Sequence, residues 1–238
     1  MDPKPPLVTM LENNPYDDPT NPPLEPDEIT GYCAMQWQED EIDPETGKKM
    51  YKLANFSTEL EAIESGWNIT HKGHCGACSI LQDLGVYVKQ NLTEDTRQCG
   101  LEGIFLGRYT CYVFLNFFYL YFIFNSQTYL LGQQHVFNCL KNIGFSDECS
   151  KIWQYNIKNT RSKCFQPCII AWITDAPLNN PDGSLNDCIQ CDEDISGPNF
   201  KYFSGRTRRN SGIPSAIHRP PESVYNMTHC YWYGDLSY

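Results

Sequence analysis

Histidine and cysteine side chains are concentrated in the short stretch His71-Lys72-Gly73-His74-Cys75-Gly76-Ala77-Cys78. Two kinds of chemistry use these residue types: thiol–disulfide exchange by a close cysteine pair, and binding of copper or zinc by imidazole. Only five histidines occur in the chain, and two of the others lie near Cys230. The candidate catalytic residues are Cys75 and Cys78, and the candidate copper or zinc ligands are His71, His74, His218 and His229.

The sequence Cys75-Gly76-Ala77-Cys78 resembles the redox motif of thioredoxin-like enzymes. This resemblance implies a thiol–disulfide oxidoreductase, in which a helix N-terminus stabilises one thiolate and the second cysteine resolves the mixed disulfide. The alternative is structural, because close cysteine pairs often mark two chain points that are each bridged to a distant partner. The same alternative applies to Cys164/Cys168 and Cys188/Cys191.

The string His71-Lys72-Gly73-His74-Cys75 resembles the HxxHC motif of fungal UstYa-like oxidases, where histidines are thought to hold copper. That family carries the motif twice, whereas here the second copy is reduced to His229-Cys230, with Asn226 in the place of the upstream histidine. The resemblance implies a histidine-dependent oxidase that uses His71 and His74. Solvated loop histidines are the alternative.

The block from Cys75 to Cys168 is similar to a saposin fold, in which cysteine-bridged amphipathic helices hold lipid. The step from Cys139 to Cys149 is close to the internal pair of that family. The resemblance implies a lipid-binding protein.

Three arginines in the segment Phe200–Gly212 form a further candidate site. The pattern Arg206-Thr207-Arg208-Arg209 fits cleavage by furin-like proteases in the secretory pathway. The same arginines could bind an anionic group, or they could brace loops by donating to backbone carbonyls.

The chain contains twelve cysteines and four N-x-Ser/Thr sequons, at Asn55, Asn68, Asn91 and Asn226. Cysteines at this density persist as disulfides or metal ligands, and sequons matter in the secretory lumen. We therefore expect a glycoprotein that is secreted, lumenal or at the cell surface. No basic start with an apolar run is present, so we expect either a mature form or a late start of the gene model.

Charge and proline separate the first residues from the rest of the chain. Residues 1–48 contain 12 Asp/Glu, 2 Lys and 9 of the 16 prolines, out of a total net charge of −11. We expect a disordered acidic, proline-rich arm over 1–32 and a cysteine-rich globular domain over 33–238. The acidic balance argues against nucleic acid as a partner.

The elements that position the candidate residues have recognisable local signals. A hairpin is predicted from Cys33–Glu39 and Lys49–Ala54, and capping patterns predict helices starting at Thr58, Ser79 and Ser146. The segment Thr174–Pro221 is rich in Asn, Asp, Gly and Pro, which predicts loops and short strands. Within it, Asp192-Glu193-Asp194 is typical of a solvated face.

The aromatic and aliphatic run of residues 109–131 allows three interpretations. It is part of the core, a membrane-associated segment, or translated non-coding sequence. A single membrane span would place cysteines and sequons on both sides of the bilayer, but only one side glycosylates and oxidises. This argues against a single membrane-spanning helix at 109–131.

Together these signals predict an α+β, disulfide-stapled globular domain with a few short helices, a hairpin and a loop-rich C-terminal half. We expect a binding or interaction protein whose partner is an unknown protein or a small ligand. The oxidase, the oxidoreductase and the lipid binder are the alternatives, so enzymatic activity is left open.

Overall fold

The computed structural model describes residues 11–18, 20, 30–89, 92–112 and 126–229, except for the side chains of 104–130. Within these ranges three antiparallel strands form a sheet in the order β2-β1-β3: β1 (Tyr32–Ile42), β2 (Lys49–Phe56) and β3 (Asn68–Lys72). The α-helices are α1 (Glu59–Glu64), α2 (Leu81–Tyr87), α3 (Leu92–Tyr112), α4 (Ser126–Ile143), α5 (Asp147–Lys163), α6 (Phe165–Ile173), α7 (Asp187–Ile195) and α8 (Gly197–Ser204). This mixture confirms the α+β fold class, and α3, α4 and α5 are longer than expected.

The hairpin predicted from residues 33–54 is confirmed. Strands β1 and β2 pair in antiparallel register, with Trp37 opposite Tyr51. In the connecting turn, the Asp43 carboxylate accepts hydrogen bonds from the Glu45 amide and the Thr46 hydroxyl. Side-chain acceptors of this kind stabilise a turn through residues that are close in sequence. The local sequence was therefore sufficient to predict the hairpin.

Two of the three predicted helix starts are confirmed. Thr58 accepts from the Glu61 amide and begins α1, and Ser146 accepts from the Cys149 amide and begins α5. The predicted cap at Ser79 is wrong, because Ile80 occupies the N-cap of α2 without a side-chain bond. The Ser79 hydroxyl instead accepts from the Gly76 amide, 2.7 Å away.

The prediction of loops over Thr174–Pro221 is confirmed for most of the segment, but the sequence did not predict the two α-helices within it. These helices are α7 and α8, and the segment's only strand-like feature within the described residues is an isolated bridge between Asn179 and Leu185. Asn186 caps α7 by accepting from the Ile189 amide at 2.9 Å. A residue type counted as a loop signal thus serves as a helix start.

Five disulfides connect these elements: Cys33–Cys75, Cys78–Cys149, Cys99–Cys139, Cys164–Cys191 and Cys168–Cys188. Each cysteine of the three close pairs is bridged to a distant partner, as the structural alternative predicted. The last two bridges join α6 to α7 side by side. Cys111 and Cys230 lie outside the residues whose side chains are described.

The main buried core lies between one face of the sheet and helices α2, α4 and α5. Met35, Leu53, Leu84, Leu140 and Ile152 belong to it, and all are less than 5% exposed. The core therefore contains residues from the beginning and the middle of the chain, and the disulfides Cys33–Cys75 and Cys78–Cys149 are part of it.

Part of the expected disordered arm packs against the helices. The Leu11 amide donates to Glu148 at 2.8 Å, and the Tyr16 hydroxyl lies 2.8 Å from the Asn156 side-chain oxygen. Residues 11–18 therefore pack against α5. The other residues of 1–29, apart from residue 20, lie outside the described ranges, so the domain boundary stays a prediction.

Most of the 109–131 segment also lies outside the described residues, which include only the end of α3 and the start of α4. Its three interpretations remain open. No helix in the described part of the chain is long and apolar enough to span a membrane.

Candidate ligand-binding cavity

The Cys-Gly-Ala-Cys stretch lies against the C-terminal end of α8. The Ala77 amide donates to Phe203 O at 2.9 Å, and the Cys78 amide donates to Ser204 O at 2.8 Å. A methyl group added at Gly76 would lie 2.6 Å from the Gly205 nitrogen. Gly76 therefore allows two backbones to approach closely, which is a structural reason for a glycine inside the motif.

The two cysteines of this motif do not pair with each other. Cys75 is bonded to Cys33 of β1, and Cys78 is bonded to Cys149 of α5. The loop holds the two sulfurs towards different elements, so the disulfide expected of a redox pair is not formed. The internal pair expected from the saposin resemblance, Cys139 with Cys149, is also not formed, since Cys139 is bonded to Cys99.

His71 and Ser79 form a hydrogen-bonded pair that the sequence did not reveal. His71 Nδ1 lies 3.0 Å from Lys72 O and must donate to it, so Nε2 accepts from the Ser79 hydroxyl at 2.8 Å. Burial, with a contribution from Arg206, holds the pKa of His71 well below its usual value. Both side chains are 0% exposed, so no substrate reaches this pair in the folded chain.

The other candidate metal ligands make separate contacts. His74 packs on the Tyr202 ring, with 4.7 Å between ring centroids, and His229 Nε2 lies 2.8 Å from Ser211 O. Burial lowers the pKa of both. His218 is exposed, and its amide donates to Asn179. No group of three or more His, Cys, Asp or Glu side chains that could hold a metal occurs among the described residues.

Arg206 is 0% exposed and lies between the sheet and the start of α2. Its guanidinium donates to the carbonyls of Thr70, Cys78 and Ser79 at 2.9–3.1 Å, and to the Ser211 hydroxyl at 3.2 Å. Cleavage at the furin-like pattern would therefore require this loop to unfold. The side chain is also closed to any external anion.

A cavity of about 400 Å³ lies between α3, α5, α6, α7, α8 and the segment 207–219. Its lining is mostly apolar, with Trp153, Ile157, Phe165, Ile169, Trp172 and Ile189 among its members. Phe165 is 45% exposed and Trp172 is 40% exposed, so the cavity opens to solvent at α6. Cavities of roughly 300–1,000 Å³ with apolar walls and a few polar groups are typical of small-molecule sites.

One wall of the cavity carries a buried polar network around Asp192 of α7. Thr160 donates to the Asp192 carboxylate or to the Ser196 hydroxyl, and Asn159 also donates to Ser196. Burial raises the pKa of Asp192, and the neighbouring Glu193 charge adds to this effect. The Asp192 carboxyl is therefore easier to protonate than a solvated one.

The charges lining the cavity differ in sign from the net charge of the chain. Two acidic residues, Asp192 and Glu193, line it together with six basic ones: Arg97, Arg161, Lys201, Arg208, Arg209 and Arg219. Burial opposes ionisation of Glu193, but the charges of Lys201 and Arg219, 3.0 Å and 2.5 Å away, outweigh it and lower its pKa. The cavity lining is thus positive although the whole chain carries −11.

Arg208 differs from the other basic residues of the lining. Within the described ranges its guanidinium makes one hydrogen bond, from Nη2 to Lys89 O at 2.5 Å, and no ion pair. Its Nε is buried without a partner in the same ranges. Burial lowers the pKa of Arg208, which reflects a charge that is partly removed from water. Such an arrangement favours an anion beside the guanidinium.

Three of the four predicted glycosylation sites lie within the described residues. Asn55, Asn68 and Asn226 are all exposed, as a glycan requires. The Asn55 side-chain oxygen accepts from the Cys75 amide at 2.6 Å. Asn91 lies outside the described ranges.

Sequence reasoning missed most of the cavity. The sequence indicates Arg208 and Arg209 as a possible anion site, but its prediction of a solvated face at Asp192 and Glu193 is wrong, because both are half-buried in the cavity wall. Helical spacing of Cys188, Cys191 and Ile195 after Asn186 would have indicated a helix there. The apolar wall residues come from several helices, and no local pattern indicates that they meet.

Comparison with known proteins adds one positive finding. A model described as a family of unknown function (DUF8771) matches residues 133–227. No curated protein and no solved structure gives a significant match. The matched range contains α5 to α8 and the cavity residues from Trp153 to Arg219, whereas the sheet and the Cys75/Cys78 stretch lie outside it.

Proposed function

We propose that this chain is a binding protein of the secretory pathway that holds a small, mainly apolar ligand in the cavity between α3 and α5–α8. The observation that carries the proposal is the cavity itself, with its volume of about 400 Å³ and its apolar walls. Burying an apolar ligand there contributes about 25 cal/mol for each Å² removed from water.

The exposure of α6 supports this proposal. Its sequence Phe-Gln-Pro-Cys-Ile-Ile-Ala-Trp-Ile is largely apolar, yet none of its nine residues is buried. Ile170 is 53% exposed and Ile173 is 71% exposed, and neither residue lines the cavity. Apolar surface left open beside a cavity is characteristic of proteins that bind apolar partners.

The disulfides and the sequons support the secretory location. Five bridges persist best in an oxidising compartment, and three sequon asparagines are exposed. Protein made through a eukaryotic secretory pathway should lose apparent mass on treatment with a peptide N-glycosidase. An unchanged mass would contradict this part of the proposal.

Ligand binding in the cavity is tested by filling the cavity with a larger side chain. Ala171 lies in the cavity wall on α6, and A171W places an indole into the cavity. We expect purified wild-type protein to bind a neutral apolar dye such as Nile red with increased dye fluorescence, and A171W to bind it at least tenfold more weakly.

The matched control is I173W, which adds the same indole to the same helix at an exposed position outside the cavity lining. It should bind the dye like the wild type. Equal losses in both variants, or no dye binding by the wild type, would contradict the proposed function.

A further inference from the structure

We propose that the ligand of this cavity is an aliphatic carboxylate, and that Arg208 binds its negative charge. This inference rests on the proposed function, and it adds the chemical class of the ligand and the residue that selects it. It follows from the charges that line the cavity and from the way in which they are paired.

Most of the basic residues around the cavity already have acidic partners. Lys201, Arg209 and Arg219 all face Glu193, with N–O distances of 3.0, 3.9 and 2.5 Å. Arg97 lies 3.5 Å from Glu94. Each of these four cations is held to a carboxylate, so a ligand would have to compete with Glu193 or Glu94 for it.

Arg208 has no such partner in the part of the chain that the structure describes. Its one hydrogen bond there goes to Lys89 O, which leaves the Nη1 group without an acceptor in the same ranges. Asp192, which also lines the cavity, is engaged in the hydrogen-bond network with Thr160. A ligand carboxylate would complete the pairing of the Arg208 guanidinium.

The loop that carries Arg208 is held in place from both sides. Asn210 accepts from the Thr207 amide at 2.7 Å and donates to Lys72 O at 2.8 Å. The preceding Arg206 is fixed by its bonds to Thr70, Cys78 and Ser79. The charge of Arg208 is therefore presented at the cavity without first ordering a loop, which favours binding.

One unpaired arginine next to apolar walls selects a ligand with one negative charge and an apolar body. A second negative charge would have to compete with Glu193 or Glu94 for the lining cations that are already in ion pairs. Burying an alkyl chain against the apolar walls strengthens binding in proportion to the apolar surface removed from water. A medium-chain fatty acid combines both properties.

The test compares dodecanoate with dodecanol, which has the same chain and no charge. Calorimetric titration of the full chain at neutral pH should give about tenfold tighter binding of dodecanoate. In R208Q the two ligands should bind equally, with dodecanol affinity within about twofold of the wild type. The control R97Q should keep the tenfold preference, because Arg97 lines the same cavity but is paired with Glu94.

The outcomes separate this inference from the proposed function. Equal binding of both ligands by the wild type overturns the inference and leaves the cavity proposal standing, whatever R208Q does. A preference for dodecanoate that survives in R208Q, or that is lost equally in R97Q, overturns the role of Arg208. Failure of the wild type to bind either ligand overturns both proposals.

Discussion

Arg206 and Arg208 are two residues apart, yet they lie in opposite environments. Arg206 is fully buried and bonded to three backbone carbonyls, in a closed region that also contains His71, Ser79 and the Cys75–Cys78 stretch. Arg208 lines an open cavity with one hydrogen bond in the described ranges. The residue types that suggested chemistry thus lie in the closed region, while the accessible site is made largely of ordinary apolar side chains.

This difference shows what buried polar groups do in this protein. In the closed region, donors and acceptors are matched over long sequence separations, as between Arg206 and Thr70, 136 residues apart. Matched buried groups stabilise the fold and leave nothing for a substrate. In the cavity, the buried Nε–H of Arg208 has no hydrogen-bond acceptor among the described residues. This unsatisfied donor indicates that a ligand could supply the acceptor.

The largest difference between the two regions should appear when each arginine is replaced by methionine. R206M leaves three buried carbonyls without their donor, at about 1–3 kcal/mol each, so we expect a loss of about 4 kcal/mol or failure to fold. R208M should change the free energy of unfolding by less than about 1 kcal/mol. Guanidinium unfolding without reductant measures both, and similar costs for the two variants would contradict the distinction.

A glycine in each region provides a second comparison. In G76A the new methyl group would meet two backbone atoms, the Gly205 nitrogen at 2.6 Å and Phe203 O at 2.7 Å, and Phe203 O already accepts a hydrogen bond from the Ala77 amide. We expect a destabilisation of about 3 kcal/mol from this overpacking.

The matched variant G100A lies in α3 at the cavity. Its methyl group would lie 3.4 Å from a flexible Ile157 methyl, and alanine is favoured over glycine in a helix by about 1 kcal/mol. The free energy of unfolding should therefore stay within about 1 kcal/mol of the wild type. A G76A variant as stable as G100A would show that the loop contact is not tight.

The smallest predicted effect is a dependence of stability on pH. Because the folded pKa of His71 lies well below its unfolded value of about 6.5, its contribution is complete above pH 6.5 and is lost as the pH falls below it. The free energy of unfolding should decrease by roughly 1.4 kcal/mol per pH unit in that window. His74 and His229 act in the same direction.

Nuclear magnetic resonance of the imidazole nitrogens directly tests whether the pKa of His71 is lowered in the folded protein. The His71 ring should stay neutral, with its proton on Nδ1, as the pH falls below 6.5 and a solvated imidazole becomes protonated. Titration of His71 near or above pH 6.5 would contradict the closed environment of this pair.

The sequence by itself determined the hairpin, the starts of α1 and α5, and the presence of many disulfides. Each of these depends on residues a few positions apart, such as Asp43 with Thr46 or Ser146 with Cys149, or on composition alone. Local geometry is sufficient for such features, so a local pattern predicts them.

Only the tertiary structure decided which cysteines pair, that Arg206 is buried and Arg208 is accessible, and that five helices enclose a cavity. These features depend on contacts between residues far apart in the chain. Identical residue types, two positions apart, acquire different roles because the environment of a side chain is set by the elements that pack around it, and no short stretch of sequence contains that information.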